Sequence, residues 1–496
     1  MTSHNGVMAS WPDDVGILAI EVYFPSTYVD QNKLEEYDGV SKGKYTIGLG
    51  QTGMGFCGDR EDTNSLSLTV VHNILEKNSI DPKQIGRLEV GTESILDKSK
   101  SVKTVLMQLF EASGNSNIEG VDTINACFGS TQAFFNALDW MESSAWDGRL
   151  ALVVCADIAV YAAGNARPSG GAGAVAMLVG PNAPLVIERG LRSVFMSHCY
   201  DFYKPNFESQ YPVVDGKLSI NCYLKAVEKC YHRYLMKSEK YNCKTKANGD
   251  SSHYVRSMND IDYMVFHSPV CKLTQKSLAR LIFLDFLRSD VIDLDKKYET
   301  LKEFRDVKID ELYEDEVKAK QIEKASVNFS LKEFQKKTKP SLTFATNVGN
   351  AYTASVYAGL GSLIASLSPN ELAGCRIGMF CYGSGFASAF YSIKVCSESQ
   401  DPKLIQICNN VSDMKSKLQS RQCLDPAEFE QTLEMREKNA HMNDYSPSGS
   451  VEHFWDGTYY LQHVDSKYRR SYARKTKQEA MNINGSKNTL ITNGHS

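Results

Sequence analysis

Short apolar segments alternate with amphipathic ones through the first part of the chain, and this alternation restricts the possible folds more than any other feature. Val15–Phe24 has the continuous apolar character of a buried strand, and Asn64–Lys77 carries apolar residues at helical spacing. Short strands are predicted at Leu88–Val90 and Asp122–Ala126, with a helix over Ser101–Ser113 between them. Strands that alternate with helices of this length build βαβ units. We therefore predict an α/β protein with helices layered on a sheet.

A weaker signal is an internal similarity between two distant segments. Residues 173–180 (GAVAMLVG) and 376–395 (RIGMFCYGSGFASAFYSIKV) each place a glycine-flanked strand after a segment rich in small residues. Such repetition is typical of two related halves, although glycine and alanine also recur by chance. Charges crowd at helical spacing over about 293–339, which predicts an insertion of solvated surface helices. The polar segment 475–496 is predicted to be a disordered tail.

Composition excludes several classes of function. The 496 residues include 55 Lys and Arg and 59 Asp and Glu, so the net charge is −4. No overall positive potential is therefore present to bind nucleic acid. No segment approaches the roughly 18 consecutive apolar residues of a membrane-spanning helix. The 13 cysteines lack CxxC and zinc-finger spacing, which indicates mostly buried, reduced thiols. The N-terminal segment has no apolar leader and its first arginine is Arg60, so a cytoplasmic protein is expected.

Cys127 is the best candidate for a nucleophile. It follows the predicted strand DTINA and precedes a segment with a helical pattern, which places its thiol at a helix N-terminus. The helix dipole and the unpaired N–H groups there favour a thiolate, and adjacent amides can stabilise an oxyanion. The alternative is a buried core cysteine, which is the commoner role of this residue type.

Glu93 and His267 both follow predicted strands. Glu93 comes after Leu88–Val90, where burial would raise the pKa of its carboxyl towards that of a general base. His267 ends the predicted strand Ile261–Phe266 and precedes a helix, at a loop edge where functional residues collect. A surface carboxylate and a structural histidine are the respective alternatives.

Two lysines are candidates for binding a phosphate, and several known catalytic motifs are absent. Lys272 and Lys276 are four residues apart at the start of a predicted helix, so both project from one face and could grip a phosphate; a solvated lysine face is the alternative. The glycine-rich segment 164–173 is not a Walker loop, and Ser384 in YGSGFAS is not the GxSxG elbow of a serine hydrolase. No HExxH or calcium-loop motif is present, so no metal site is predicted.

Several longer motifs then identify a family. The segments IEVYFPSTYVDQ, KYTIGLGQTGMGFCGDRED, RLEVGTES, NACFGSTQA, YDFYKP, HSPVCKLTQKSLAR and YGSGFAS closely resemble hydroxymethylglutaryl-CoA synthases of the eukaryotic cytosolic kind, from about Trp11 to about Arg474. The resemblance implies a thiolase-like α/β fold of five αβαβα layers made of two related halves. The halves would be 11–185, with Glu93 and Cys127, and 186–474, with His267. The family usually forms homodimers.

The resemblance also implies a reaction. Acetyl-CoA, acetoacetyl-CoA and water would give (S)-3-hydroxy-3-methylglutaryl-CoA and CoA, in the mevalonate pathway of isoprenoid synthesis. Cys127 would be acetylated, Glu93 would remove a proton from the acetyl methyl group, and His267 would polarise the acetoacetyl-CoA carbonyl and protonate the alkoxide. The CoA thioesters are substrates, so no cofactor is expected. Alternatives are another condensing enzyme of the same fold, which the glutamate of VGTES disfavours, a Cys-His thioesterase, which needs no carbanion, and an inactive relative.

Substrate contacts follow by the same resemblance. The positions that match the family's ligand contacts are Asn165, Ser169, Ser219, Lys272, Lys276, Asn350 and Ser384. The chain also departs from the family pattern: Phe128 and Ser130 stand where Tyr and Gly are common, and Val270 replaces a common Tyr. We expect the changes at Phe128 and Val270 to alter KM or the rate of acetylation.

Overall fold

The computed structural model describes residues 12–245, 254–289 and 298–476. Its strands are β1 Gly16–Tyr23, β2 Thr27–Asp30, β3 Gly53–Gly55, β4 Ile85–Gly91, β5 Asp122–Thr123, β6 Leu150–Ala159, β7 Gly171–Gly180, β8 Leu185–Ile187, β9 Ser193–Met196, β10 Phe202–Tyr203, β11 Val213–Val214, β12 Tyr263–Phe266, β13 Arg376–Gly383, β14 Ala387–Val395, β15 Gln422–Leu424, β16 Tyr459–Val464 and β17 Arg470–Arg474. Its α-helices are Gln31–Tyr37, Thr63–Lys77, Val102–Leu106, Gly129–Met141, Gly216–Thr245, Cys271–Arg288, Glu311–Glu314, Glu316–Phe329, Leu331–Glu333, Thr343–Val348, Ser355–Ile364, Pro369–Leu372, Pro402–Asn410, Met414–Gln419 and Pro426–Asn439. Within these ranges, no helix combines the length and the apolar character needed to cross a bilayer.

One mixed sheet runs through the molecule in the order β12-β13-β14-β8-β1-β7-β6-β4-β5, with β9 paired to β14. In the first half β4 lies parallel to β6, β6 antiparallel to β7, and β7 antiparallel to β1. The second half repeats this pattern, because β12 is parallel to β13, β13 antiparallel to β14, and β14 antiparallel to β8 and β9. The repeated pairing confirms two related halves. The boundary predicted between residues 185 and 186 falls inside β8, which pairs with β1 of the first half and β14 of the second. The exact division between the halves stays a prediction.

Helices form three layers that alternate with the two half-sheets. Gly129–Met141 and Ser355–Ile364 pack in the middle, against inward-facing residues of both half-sheets. Thr63–Lys77 covers the outer face of the first half-sheet, and Gly216–Thr245 with Cys271–Arg288 covers the outer face of the second. Successive side chains of a strand point to opposite faces, so each strand contributes to two of these cores. The predicted five-layer α/β fold is confirmed.

The bounds of two helices and one loop differ from the predicted bounds, because capping side chains and strand pairing decide where these elements begin and end. The helix predicted from Asn64 begins at Thr63 and is capped by Asp62, whose carboxylate accepts the Ser65 N–H. The helix predicted over Ser101–Ser113 is α-helical only to Leu106 and continues as 3₁₀ turns, a common ending. The predicted loop 164–173 is shorter, because β7 already pairs with β6 from Gly171 onwards.

The charged insertion is more than a solvated surface. Residues 293–297 lie outside the described ranges, but the rest contains a small core of its own, formed by Tyr298, Leu301, Phe304 and Ile322 around Phe283 and Phe286. Those two phenylalanines belong to the helix Cys271–Arg288. The insertion thus has helices with exposed charges, as predicted, and the apolar residues between the charges anchor it on the second half.

The predicted tail begins with an ordered residue. Lys475 donates its backbone N–H to the Thr458 carbonyl and its Nζ to the carbonyls of Glu452 and Phe454. Lys475 is therefore part of the folded chain. Residues 477–496 of the predicted tail lie outside the described residues.

A buried ion pair ties β13 to the segment that follows β8. Arg376 donates Nε and Nη2 to the two carboxylate oxygens of Glu188 at 2.8 and 2.9 Å, and the side chains are only 8% and 1% exposed. Arg376→Met retains the apolar stem but takes the guanidinium from a buried carboxylate. We expect the free energy of unfolding to fall by about 3–5 kcal/mol, measured by urea denaturation followed by circular dichroism. Arg469→Met is the control, because Arg469 is 75% exposed in its pair with Asp465 and should cost less than about 1 kcal/mol. Equal losses in both variants would contradict the prediction.

Candidate active site

Each of the three predicted catalytic residues follows the C-terminal end of a strand. Glu93 lies two residues after β4, and Cys127 four residues after β5, which is parallel to β4. His267 follows β12, and its N–H donates to the Phe380 carbonyl of the parallel strand β13 at 2.8 Å. The far end of β13 meets the Cys127 segment closely, since any side chain at Gly383 would collide with the backbone of Asn125 and Phe128.

The backbone around Cys127 is arranged to place the thiol before a helix. Ala126 adopts a left-handed conformation with φ of 41°, which is unusual for a residue other than glycine and is often found at functional sites. The helix then starts at Gly129, as the sequence pattern predicted. The half-buried Cys127 packs against the cluster of Ala159, Tyr161 and Tyr352, and so does Phe202. The thiol therefore lies at a helix start within an aromatic pocket.

The protonation of Cys127 differs from the sequence-based expectation. Burial, together with the negative charges of Glu93 and Asp157, raises the pKa of the thiol well above its usual value, and only Lys204 among the nearby side-chain charges opposes this. The prediction that the helix start favours a thiolate is therefore wrong for the unliganded site. Burial first, and the two nearby carboxylates after it, hold the proton on the sulfur, so the thiol needs a base to react.

Glu93 has the surroundings of a general base. Its side chain is 5% exposed, and its Oε1 accepts a hydrogen bond from Lys204 Nζ at 2.7 Å. Its Oε2 is buried and accepts no hydrogen bond from any described residue. Burial raises the pKa of Glu93 above its ordinary value; the Lys204 ammonium opposes this, the Asp157 charge adds to it, and a polar contact with the Cys127 thiol lowers it. One carboxylate oxygen is thus held, and the other is available to a substrate proton.

His267 is a buried, neutral imidazole. It is 1% exposed, and burial lowers its pKa to about 3. Its backbone is held on both sides, since its carbonyl also accepts the Tyr223 hydroxyl at 2.5 Å. Neither ring nitrogen has a partner among the described residues. The ring is therefore suited to donate a neutral N–H to a substrate oxygen rather than to act as an imidazolium acid.

A cavity of about 370 Å³ opens beside these residues. Glu93, Ala126, Lys204 and Ser384 are among its lining residues, with apolar side chains that include Ile95, Leu96, Ile124, Phe202 and Phe207. Neither Cys127 nor His267 is among the lining residues, whereas Ala126, which precedes Cys127, is one of them. The cavity combines an apolar wall with a carboxylate and an ammonium group, as a site for an acyl substrate requires.

Sequence reasoning missed two charged residues of the site. Lys204, within the quoted motif YDFYKP, pairs with Glu93 and lies 4.3 Å from the centre of the Tyr352 ring. Asp157 is completely buried in β6, where it accepts the N–H groups of Glu93 and Ser94 at 2.9 Å and that of Thr353 at 3.0 Å. The available signals were a lysine among aromatic residues and an aspartate inside an apolar strand.

The predicted substrate contacts fall into three groups. Asn350 and Ser169 are brought together, since the Asn350 N–H donates to the Ser169 carbonyl at 3.1 Å, and Ser384 lines the cavity. Asn165 accepts a hydrogen bond from Lys44 at 2.9 Å near the surface. Ser219 lies in the first turn of the helix Gly216–Thr245. No contact in the structure assigns a ligand to these residues, and their roles stay predictions.

The two predicted phosphate-binding lysines start one helix, as expected, but they differ in surroundings. Lys272 is exposed and its Nζ donates to Gln275 Oε1 at 3.1 Å. Lys276 pairs with Glu323 of the insertion at 2.9 Å. A phosphate at Lys276 would therefore compete with the Glu323 carboxylate, which the sequence did not predict.

Lys204→Met is expected to move the acid limb of the rate–pH profile to higher pH in a reaction that uses Glu93 as its base. The ammonium group stabilises the Glu93 carboxylate, so its loss raises the pKa of Glu93 further and leaves less of the base ionised at neutral pH. We expect turnover at neutral pH to fall by about tenfold. Lys98→Met is the control, because Lys98 lies over the Phe207 ring at the same cavity and does not contact Glu93. A shift towards lower pH would contradict the prediction.

Comparison with known proteins covers residues 11–475. Family models described as the N-terminal and C-terminal parts of hydroxymethylglutaryl-coenzyme A synthase match residues 11–184 and 185–475. The cytoplasmic hydroxymethylglutaryl-CoA synthase of Homo sapiens is 54% identical over 468 residues, which are 94% of this chain and 88% of the human protein. That of Gallus gallus is 55% identical over the same shares, and the mitochondrial enzyme of Rattus norvegicus is 52% identical over 94% of this chain and 90% of its own.

Solved structures agree with the sequence comparison. MvaS in complex with 3-hydroxy-3-methylglutaryl coenzyme A matches with a TM-score of 0.77 and 29% identity, over 93% of this chain and 99% of MvaS. The curacin biosynthetic pathway HMG synthase in complex with acetyl donor-ACP shares the fold, with a TM-score of 0.73 and 22% identity over 93% of this chain and 99% of that one.

Proposed function

The chain belongs to the hydroxymethylglutaryl-CoA synthase family over residues 11–475, and on this premise we propose which of its residues carry out the reaction. The enzyme condenses acetyl-CoA with acetoacetyl-CoA and water to give 3-hydroxy-3-methylglutaryl-CoA and CoA. The observation that carries the proposal is the buried Glu93 carboxyl at the cavity wall, which lies near enough to Cys127 for its charge to raise the pKa of the thiol. A nucleophile and a base within reach of each other are what a two-stage condensation needs.

The first step is the acetylation of Cys127. Because the pKa of the thiol is raised, its proton passes to Glu93 as the sulfur attacks the carbonyl of acetyl-CoA. The C–S bond to coenzyme A breaks, and the leaving thiolate takes the proton and departs as CoA. An acetyl thioester on Cys127 and an ionised Glu93 result.

The second step is the formation of the carbon–carbon bond. Glu93 removes a methyl proton, which stays acidic because a thioester does not suppress the acidity of its α-protons as an ester or amide does. The carbanion attacks the C3 carbonyl of acetoacetyl-CoA, whose oxygen becomes an alkoxide stabilised by the neutral N–H of His267. The alkoxide takes the N–H proton of His267, and the methyl proton held by Glu93 replaces it, so that Glu93 is ionised and His267 neutral again. Water then cleaves the thioester to Cys127: its hydroxyl ends on the acyl carbon and its proton on the Cys127 sulfur as the product leaves. These steps use only the side chains of this chain and the two thioesters, and we propose no metal or cofactor.

The location, the ligands and the oligomeric state of the enzyme are proposed from its relatives and from its exposed surface. The relatives from Homo sapiens and Gallus gallus are named cytoplasmic, which supports a cytoplasmic enzyme, and mitochondrial relatives also match. The mevalonate pathway stays a prediction from the family resemblance. MvaS was solved with 3-hydroxy-3-methylglutaryl coenzyme A, which supports acyl-CoA ligands. The edge strand β5 is flanked by Val121 and Ile124, which are 62% and 59% exposed. An exposed apolar sheet edge can pair with a second copy, which supports a homodimer.

The test of the proposed function is brief incubation with acetyl-CoA alone, followed by intact-mass measurement and peptide mapping. We expect one acetyl group on Cys127, which added acetoacetyl-CoA discharges as 3-hydroxy-3-methylglutaryl-CoA. Cys423→Ser is the control, since Cys423 is exposed and its replacement should leave the adduct unchanged. An adduct that only hydrolyses would favour a thioesterase, and no adduct would exclude the proposed mechanism.

A further inference from the structure

Two cysteines outside the reacting groups lie in direct contact. The sulfur atoms of Cys199 and Cys222 are 3.4 Å apart. Cys199 is half-buried in the segment between β9 and β10, and Cys222 lies near the start of the helix Gly216–Thr245 with 9% of its surface exposed. Cys199 is therefore the more exposed residue of the pair, and Cys222 the more buried one.

We propose that Cys199 and Cys222 form a thiol–disulfide site that a small-molecule disulfide oxidises to an intrachain disulfide. The Cys199 thiolate attacks one sulfur of the reagent, whose S–S bond breaks and releases one thiol. The Cys222 thiolate then attacks the Cys199 sulfur of this mixed disulfide, which releases the second thiol. Two electrons pass from the cysteine pair to the reagent, and the two cysteine protons end on the released thiols.

The surroundings of Cys222 favour this order of attack. Burial, the hydrogen bond with Cys199 and the charges of Cys199 and Asp201 raise the pKa of Cys222 to about 12, and Lys225 lowers it. A buried thiol of this kind is a poor first attacker. Once Cys199 is a mixed disulfide, it carries no negative charge, so an obstacle to ionising Cys222 is removed. The sulfurs must then approach by roughly 1.3 Å to reach the bonded distance of about 2.05 Å.

The pair connects the supports of two catalytic groups. On one side, Cys222 precedes Tyr223, whose hydroxyl holds the carbonyl of His267. On the other side, the Cys199 N–H donates to the Gly385 carbonyl at 2.7 Å, in the turn that carries Ser384. The same segment continues to Lys204, the partner of Glu93.

Closing the disulfide is expected to slow the reaction. The helix side is anchored by the buried Tyr223, so the movement falls mainly on the segment that bears Cys199 and leads to Lys204. A displacement of about 1 Å among positioning groups can cost one to two orders of magnitude in rate. We expect a reversible loss of about tenfold in kcat, a consequence that rests on the proposed function.

The site itself is tested by peptide mapping, which does not depend on activity. Cys127→Ser protein is incubated with excess oxidised glutathione, so that the catalytic thiol cannot react, and is digested without reductant. We expect a peptide pair joined through Cys199 and Cys222, lighter by two hydrogen atoms than the two reduced peptides together. Cys199→Ser and Cys222→Ser, each added to this background, should lack the linked pair. Glutathione held only as a mixed disulfide, or no oxidation at either cysteine, would overturn the proposal.

The effect on catalysis is tested with the native Cys127 enzyme. Acetyl-CoA is present during oxidation to protect Cys127 as its thioester, and the condensation rate is measured before and after a reductant is added. We expect a loss of about tenfold that the reductant reverses, and little loss in Cys199→Ser under the same treatment. A linked peptide with unchanged turnover would overturn the coupling to the active site. Failure to acetylate Cys127 before oxidation would count against the proposed function and leave the mapped disulfide as evidence for the thiol pair.

Discussion

Replacing Cys127 with serine is expected to lower the rate of condensation by a factor on the order of 10⁴ or more. A hydroxyl is far less acidic than a thiol, and Glu93 and Asp157 already oppose negative charge at this position. An acetyl ester on serine would also hold its methyl protons more tightly than a thioester does, so the second step would suffer as well. Turnover is followed by the formation of 3-hydroxy-3-methylglutaryl-CoA, and acetylation by intact mass.

The Cys127→Ser result needs a control for the replacement of a thiol in general. Cys155 and Cys381 are completely or almost completely buried in the core, so their replacement would confound activity with stability. The exposed Cys423 avoids this, and Cys423→Ser should retain the native rate. If Cys127→Ser turned over at a comparable rate, Cys127 would not be the acyl carrier and the proposed order of steps would fail.

Glu93→Gln is expected to lower the condensation rate by about 10²- to 10⁴-fold, which is the usual contribution of a general base. Glutamine has nearly the same shape as glutamate. Its carbonyl oxygen can still accept the hydrogen bond that Lys204 Nζ donates to Glu93 Oε1 at 2.7 Å. The variant therefore removes the basic oxygen with little change in packing. Acetylation of Cys127 should also slow, because Glu93 takes the thiol proton in the first step.

A hydrogen-exchange measurement separates the base from a structural role. After acetylation in deuterated water, the methyl group on Cys127 should gain deuterium in the native enzyme and not in Glu93→Gln, since only an ionised base beside the methyl group removes its protons. Glu119→Gln is the control, because Glu119 is exposed and pairs with Arg87 away from the site. Native exchange in Glu93→Gln would identify another residue as the base.

The sequence alone predicted the parts of the molecule that depend on local pattern. Alternating strands and helices indicated an α/β fold, because their periodicities are properties of single segments. The predicted strands placed Glu93, Cys127 and His267 next to strand ends, and the family resemblance implied the role of each residue in the reaction. The glycine-flanked segments 173–180 and 376–395 indicated the repeat that the two hairpins β6–β7 and β13–β14 display.

The protonation states and the partners of these residues were decided by the tertiary structure. Cys127 is a thiol with a raised pKa because Glu93 and Asp157, which lie about 30 residues away along the chain in opposite directions, fold against it. Glu93 is balanced by Lys204, 111 residues further on. A pKa depends on burial and on charges within a few ångströms, and sequence spacing does not report either quantity. The sequence therefore showed which residue types are present, whereas their protonation states depend on contacts that form only when distant segments fold together.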